Sequence, residues 1–155
     1  MLDYRFPTAL QMVLSVAISE EQGKRSTSST LGSGAEANPS LIRKLMVPLT
    51  REGIFVTTLG RNGSIHLARP ADQITLCDIY MAVSQEKKLL NSRPDMKKPC
   101  CIVSANVCWY FKKIANDAEQ ASLKVLAQHT VADALLALKQ GKDLSTLTGA
   151  TDTEK

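Results

Sequence analysis

The side chains with the most chemistry to offer in this 155-residue chain are four cysteines: Cys77, the adjacent pair Cys100 and Cys101, and Cys108. A thiol can ligate a metal, hold a cluster or be oxidised, and in each case the reactive form is the thiolate. Lys97 and Lys98 lie just ahead of the pair. A helix predicted to begin directly after it brings the positive end of its dipole to the sulfurs, so both effects favour thiolate. Cys100, Cys101 and Cys108 are therefore candidate redox sensors, able to pass to sulfenic acid or to a disulfide. The competing role is burial as a small hydrophobe. That role is expected for Cys77, which shares an apolar run with Leu76 and Ile79, and it competes evenly for Cys108, which sits between Val107 and Trp109. His66 and His129 could activate a thiol as a base. Nothing in their spacing brings either one to a cysteine, and there is no carboxylate pair or glycine-rich phosphate loop, so an enzyme is not expected.

A second set is cationic. Arg43 and Lys44 lie in ANPSLIRKLM, and Arg61-Asn62-Gly63 supplies the centre of a turn in GRNGSIHLARP. The formal net charge of +4 permits an anionic partner without demanding one. Residues 1–69 carry eight Lys and Arg against five Asp and Glu, whereas residues 70–155 carry eleven against ten, so the excess sits at the front. A basic helix face is most often merely solvated. What gives this one meaning is the order of elements around it.

In FPTALQMVLSVAISEE the apolar residues Ala9, Leu10, Val13, Leu14, Ala17 and Ile18 recur at helical spacing, with Pro7 tolerated in the first turn. Thr27 or Ser28 can cap a short second helix whose apolar face is Leu31 and Ala35, weakened by Gly32 and Gly34. Asn38-Pro39 is a stronger start signal, a capping side chain followed by a residue whose missing N–H breaks no bond. The third helix then buries Leu41, Ile42, Leu45, Met46 and Leu49 and turns Ser40, Arg43 and Lys44 outward. Pro48 predicts a kink or restart before Gly53 ends it. Alternation of Ile54, Val56 and Thr58, then of Ile65 and Leu67, predicts a β-hairpin around Arg61-Asn62-Gly63.

Asp72 is positioned to cap a helix carrying Ile74, Leu76, Cys77, Ile79, Tyr80 and Val83. A polar, lysine-rich loop follows from Gln85 to Pro99. From Ile102 to Gln128 there is no proline or glycine, and Val103, Val107, Tyr110, Ile114, Ala118, Ala121 and Val125 recur at spacings of four and three. A helix of that length makes a rod approaching ~40 Å, and its heptad-like seam calls for a partner helix. Thr130 can cap a last helix, Val131 to Lys139, before a polar tail that reads as disordered. The apolar stretch of the first helix is too short and too polar for a membrane span, so a cytoplasmic protein with reduced thiols and no membrane partner is expected.

Three helices followed by a two-stranded wing is the winged helix-turn-helix arrangement, so the expected class is mainly α with a small β-hairpin and a long dimerisation helix. In that geometry the capped third helix enters the major groove of double-stranded DNA. Ser40, Arg43 and Lys44 then face base edges and phosphates, Thr27 and Ser28 meet phosphate at a helix N-terminus, and Arg61 with Asn62 reaches the neighbouring minor groove.

The stretches RFPTALQMVLSVA, ANPSLIRKLMVPLTREGI, GSIHLARPADQITLCDIYMAV and CCIVSANV, spread over roughly residues 5–138, resemble the Rrf-two family of bacterial winged-helix transcription regulators. The resemblance implies a homodimer held by the long helix, two DNA-binding domains on a partly palindromic operator, and a phosphate contact at Arg5 ahead of the first helix. The family's wing usually carries more glycines than the Gly60 and Gly63 found here. Family members that hold an iron–sulfur cluster use three spaced cysteines before the long helix. Adjacent Cys100 and Cys101 with Cys108 break that pattern, so no metal and no cofactor is expected, a cluster being the alternative. The expected organisation is residues 1–84 as the DNA-binding domain, 85–101 as a sensor loop, 102–139 as dimerisation helices and 140–155 as the tail. A repressor modulated by cysteine oxidation is the function these features favour, with a DNA-independent dimeric interaction protein as the reading from another class.

Overall fold

A computed structural model describes residues 3–85, 87–95 and 97–141. Six α-helices and one hairpin follow in the order α1 (Arg5–Glu21), α2 (Ser28–Ala35), α3 (Pro39–Arg51), β1 (Phe55–Thr57), β2 (Ile65–Leu67), α4 (Leu76–Ser84), α5 (Ile102–Ala127) and α6 (Val131–Gln140), with a 3-10 turn at Ala71–Gln73. The core is built from Ala9, Met12, Val13 and Val16 of α1, Leu31 of α2, and Ile42, Leu45 and Leu49 of α3. Phe55, Ile65, Ile79 and Val83 close it from the wing and α4, and Val131 and Leu135 bring α6 onto the same core.

Local capping explains most boundaries. Thr27 starts α2 with a reciprocal capping box to Thr30, and the Asn38 side chain accepts from the Ser40 N–H at 2.8 Å to start α3. Thr130 and Asp133 form the same box at α6. The expected cap at Asp72 is corrected: α4 is started by Thr75, boxed with Asp78, while Asp72 lies in the 3-10 turn before it. Pro48 does not restart α3, which runs through to Arg51 before Gly53 takes a φ of +68°. One lost helical bond and a ring clash cost about 3 kcal/mol. Burial of Ile42, Leu45, Pro48 and Leu49 outweighs that, at about 1.5–3 kcal/mol for each large apolar side chain.

The hairpin pairs antiparallel, Phe55 with Leu67, Val56 with His66 and Thr57 with Ile65. The expected alternation is shifted by one: Ile54 and Phe55 are both buried and Val56 is exposed. Ile54 belongs to the turn out of α3, where its N–H donates to Leu49 O, and the pleat begins only at Phe55.

The end of α5 is stitched back to the start of α4. Leu76 N–H donates to His129 O at 2.9 Å and Val131 N–H to Ile74 O at 2.8 Å, making an antiparallel bridge between Thr75 and Thr130. Because α4 has 9 residues and α5 has 26, α5 outruns its neighbour. From Ile102 to Ile114 its large apolar side chains are exposed, and burial begins at Ala115. The expected tail falls almost wholly on residues 142–155, outside the described residues.

Candidate nucleic-acid interface and the cysteine tip

Each predicted DNA-facing side chain sits on a defined part of the winged domain. Ser40, Arg43 and Lys44 are exposed on α3, whose Asn38 cap and N-terminal proline fix the first turn. Ser28, in the first turn of α2, lines one surface groove with Gly32, Pro39, Ile42 and Arg43, so the N-terminal parts of α2 and α3 share a face. Thr27 is the cap of α2, its Oγ1 accepting from the Thr30 N–H at 3.2 Å. The wing is joined to that same helix start: Ile65 N–H donates to Ser26 O at 2.9 Å, one residue before Thr27. Arg61 and Asn62 are exposed at the wing tip.

The electrostatics separate the cations into two groups. Arg5, Arg51, Arg69, Lys112 and Lys139 each lie within ion-pair distance of a carboxylate. Among the described residues, no such pair involves Arg43, Lys44 or Arg61. Arg5, the expected phosphate contact, is also engaged within the fold. Its Nε donates to Asp3 Oδ1 at 2.9 Å, its Nη1 to Gln85 Oε1 at 3.3 Å and its Nη2 to Ser84 O at 3.4 Å, which ties the start of α1 to the end of α4. Those hydrogen bonds from Arg5 hold the Asp3 carboxyl down at about 2.

Two residues that fasten the wing carry no local sequence signal. Arg25, in the loop before α2, donates from Nε to Gly63 O at 3.0 Å and from Nη2 to both Gly63 O and Arg61 O, the latter at 3.3 Å. Glu20, near the end of α1, accepts from the Leu67 N–H at 2.8 Å and faces His66 Nδ1 at 3.2 Å. His66 Nε2 in turn meets Ser64 Oγ at 2.6 Å, and Ser64 Oγ meets Thr58 Oγ1 at 3.2 Å. This Glu–His–Ser relay has the partners of a hydrolytic triad, but its end is tied to a threonine across the hairpin, and it works as a clasp on β2. Gly63 is required by space: an added Cβ would lie 2.7 Å from Thr58 O and 3.0 Å from Gly60 O.

The cysteines are displayed along the projecting part of α5. Cys101 is its N-cap, the sulfur accepting from the Ser104 N–H at 3.4 Å. Ser104 Oγ accepts from the backbone N–H groups of Cys100 and Cys101 at 2.9 and 3.0 Å. The same oxygen lies 3.7 Å from Cys100 Sγ and 3.5 Å from Cys101 Sγ. Hydrogen bonding with the Ser104 side chain, then with the Ser104 and Val103 amides, lowers the Cys101 thiol to about 7. Cys77, expected to be buried, is half-buried, and desolvation raises its thiol. Cys108, also half-buried, lines a small cavity with Asn91, Arg93, Pro94, Val107 and Phe111, its sulfur 3.7 Å from Pro94 O.

The family model for Rrf2, described as iron-dependent transcriptional regulators, matches residues 2–136. The chain belongs to the Rrf2 family. This Rrf2 protein is 32% identical over 108 residues to the HTH-type transcriptional regulator NsrR of Oceanobacillus iheyensis, a match covering 70% of this chain and 69% of that one. A shorter match, 53% identical over 36 residues, links it to protein aau3 of Rhizobium meliloti and spans 23% of either chain. The fold is that of IscR from T. potens, with a TM-score of 0.62 at 14% identity, covering 100% of this chain and 93% of that one. As an Rrf2 member the protein is a DNA-binding transcriptional regulator, mainly helical with a two-stranded wing. Among the described residues no helix is long and apolar enough to cross a membrane.

The family description raises iron, and the donor set can be tested for it. Cluster ligation needs several thiolates converging on one inorganic core. Cys101 and Cys108 are separated by seven residues of one helix, about 10 Å of rise, and the Cys108 sulfur faces the Pro94 carbonyl. Among the described residues no three His, Cys, Asp or Glu side chains are grouped to hold a metal. These cysteines do not fit a cluster.

Proposed function

We propose that this Rrf2 regulator is a cytoplasmic homodimeric repressor, not an enzyme, that binds a duplex operator through α3 and the wing and responds to oxidation of thiols at the start of α5. The observation that carries the DNA-contact reading is placement: Ser28, Pro39 and Arg43 line one groove where α2 and α3 begin, the wing is bonded to the residue before that helix start, and Arg43, Lys44 and Arg61 are exposed with no carboxylate partner among the described residues. Arg43 is suited to guanine or phosphate from the major groove, Lys44 and Ser40 to phosphate, and Arg61 with Asn62 to the adjoining minor groove. Thr27 and Ser28 present hydroxyls and amides at the α2 N-terminus. Arg5 serves the interface indirectly, since its hydrogen bonds are spent on Asp3, Ser84 and Gln85.

The dimer reading rests on α5. Val103, Val107, Tyr110, Ile114 and Val125 form a stripe at heptad-like spacing and are all exposed, from 44% at Ile114 to 65% at Val103. A second copy of the same helix covers such a stripe. Two winged domains then read half-sites about one helical turn, ~34 Å, or a multiple of it apart.

The test is a titration of a duplex, selected by the protein from a random-sequence pool, at several salt concentrations. Log affinity is expected to fall steeply and linearly with log salt. Arg43→Ala is expected to cost about 1–3 kcal/mol and to relax preference at one base position. Affinity indifferent to both salt and Arg43→Ala refutes the interface.

A further inference from the structure

Two thiols meet at one hydroxyl at the exposed start of α5. Ser104 Oγ lies within 3.7 Å of Cys100 Sγ and 3.5 Å of Cys101 Sγ, and both cysteines are exposed. The two sulfurs differ in their surroundings. Cys101 Sγ is the helix cap and accepts the Ser104 N–H, so negative charge that develops there is met by amide donors. We propose that Cys101 is a peroxidatic thiol for hydroperoxides and that Cys100 is its resolving thiol, the product being a disulfide between adjacent residues.

The steps balance as follows. The Cys101 thiolate attacks one oxygen of a hydroperoxide; the S–O bond forms, the O–O bond breaks, and the leaving alkoxide or hydroxide takes a proton from solvent. Sulfur loses two electrons to the peroxide and becomes sulfenic acid. The Cys100 thiolate then attacks that sulfur; the S–S bond forms, the S–O bond breaks, and hydroxide leaves to become water. Two thiols and one hydroperoxide thus give one disulfide, one alcohol or water from the peroxide, and one further water.

Geometry selects Cys100 over Cys108 as the resolving group within the chain. A disulfide needs Cα atoms within about 7 Å, and Cys108 lies two helical turns along α5, about 10 Å away in rise. Adjacent Cα atoms stand about 3.8 Å apart across a trans peptide, below the usual range for a disulfide of about 4.4–6.8 Å. The bond is therefore strained and readily reduced, which suits a reversible switch rather than a staple. Closing it also takes Cys101 Sγ away from the Ser104 N–H and out of the extended conformation (φ −156°, ψ 172°) that makes Cys101 a cap. The first turn of α5 loses its start, and that turn carries Ile102 and Val103 at one end of the exposed stripe. The consequence for DNA binding rests on the dimer and operator reading above; the thiol chemistry does not.

The experiment treats full-length protein with hydrogen peroxide in the presence or absence of dimedone, and locates products by tandem mass spectrometry with fragmentation both between Cys100 and Cys101 and between Cys101 and Cys108. The unaltered protein is expected to lose two hydrogens across Cys100–Cys101. Cys100→Ser is expected to accumulate a dimedone adduct on Cys101, and Cys101→Ser to slow any adduct on Cys100 about ten-fold or more. Serine is itself a good N-cap, so the latter variant keeps the helix start, and helicity by circular dichroism verifies it. A first adduct on Cys77, Cys100 or Cys108, or an interchain disulfide in the unaltered protein, overturns the proposal. If the vicinal disulfide forms and duplex affinity does not move, the chemistry stands and redox control of DNA binding falls. If affinity responds to peroxide while Cys100 and Cys101 stay reduced, the assignment falls and the DNA-binding reading survives.

Discussion

Replacing Arg25 by alanine separates positioning from contact at the DNA interface. Arg25 is cationic and lies beside the wing, where a phosphate contact would be one use of its charge. Its guanidinium is instead occupied with two carbonyls of the wing turn, Gly63 O and Arg61 O. Three exposed bonds at the low end of about 0.5–1.5 kcal/mol each, less the cost of about 0.5–1 kcal/mol for holding a long side chain still, leave roughly 1 kcal/mol for keeping the wing closed. In the variant that ordering must be supplied when DNA binds, so affinity is expected to fall about five-fold. The assay is duplex titration by fluorescence anisotropy across a salt series. Because no phosphate contact is lost, the slope of log affinity against log salt is expected to match that of the unaltered protein, whereas Arg61→Ala should reduce it by about 1. Arg25→Lys keeps the charge without the two-pronged fork and should behave like the alanine variant. A salt slope reduced by about 1 in Arg25→Ala, or an affinity within two-fold of the original, refutes the latch.

Three further outcomes follow from the same contacts. Gly63→Ala drives a methyl against Thr58 O and Gly60 O and is expected to destabilise the wing by about 1–3 kcal/mol, read as weaker duplex binding and faster amide exchange at Ile65. Val107→Lys, on the exposed stripe of α5, is expected to shift sedimentation from dimer to monomer while leaving far-UV circular dichroism unchanged. Alkylation of Cys101 by iodoacetamide should rise with pH to half its plateau near 7, since the thiolate accumulates above that point, while Cys77, raised by burial, should lag at higher pH. Equal profiles for the two thiols would remove the Ser104 effect.

Asn38 illustrates how much of this protein is local. Its side chain reaches the Ser40 N–H two residues away, Thr27 reaches Thr30 and Thr130 reaches Asp133. Contacts of that range are written in consecutive letters, and so are the apolar periodicity of α1 and α3 and the unbroken run of α5. Where local reading erred, two local signals competed. Thr75 and Asp72 both precede the apolar run of α4, and the decision went to Thr75 because Asp78 stands three residues beyond it and closes a reciprocal box. The alternation of the first strand was misread by one because Ile54 is held by the turn out of α3 and not by the pleat.

The amino-acid order alone therefore determined the helices, their caps and the basic outer side of α3, since each depends on neighbours within about four positions. Tertiary structure decided which cations are taken up within the fold. Arg5 and Arg25 look like Arg43 and Arg61 in the sequence, yet the first is taken up partly by Ser84 O and Gln85, 79 and 80 residues away, and the second by Gly63 O, 38 residues away. Glu20 likewise holds the Leu67 amide across 47 residues. A charge is spent or available according to what folding brings within about 3 Å of it, and residues that distant in the chain are brought together only by packing around the common core.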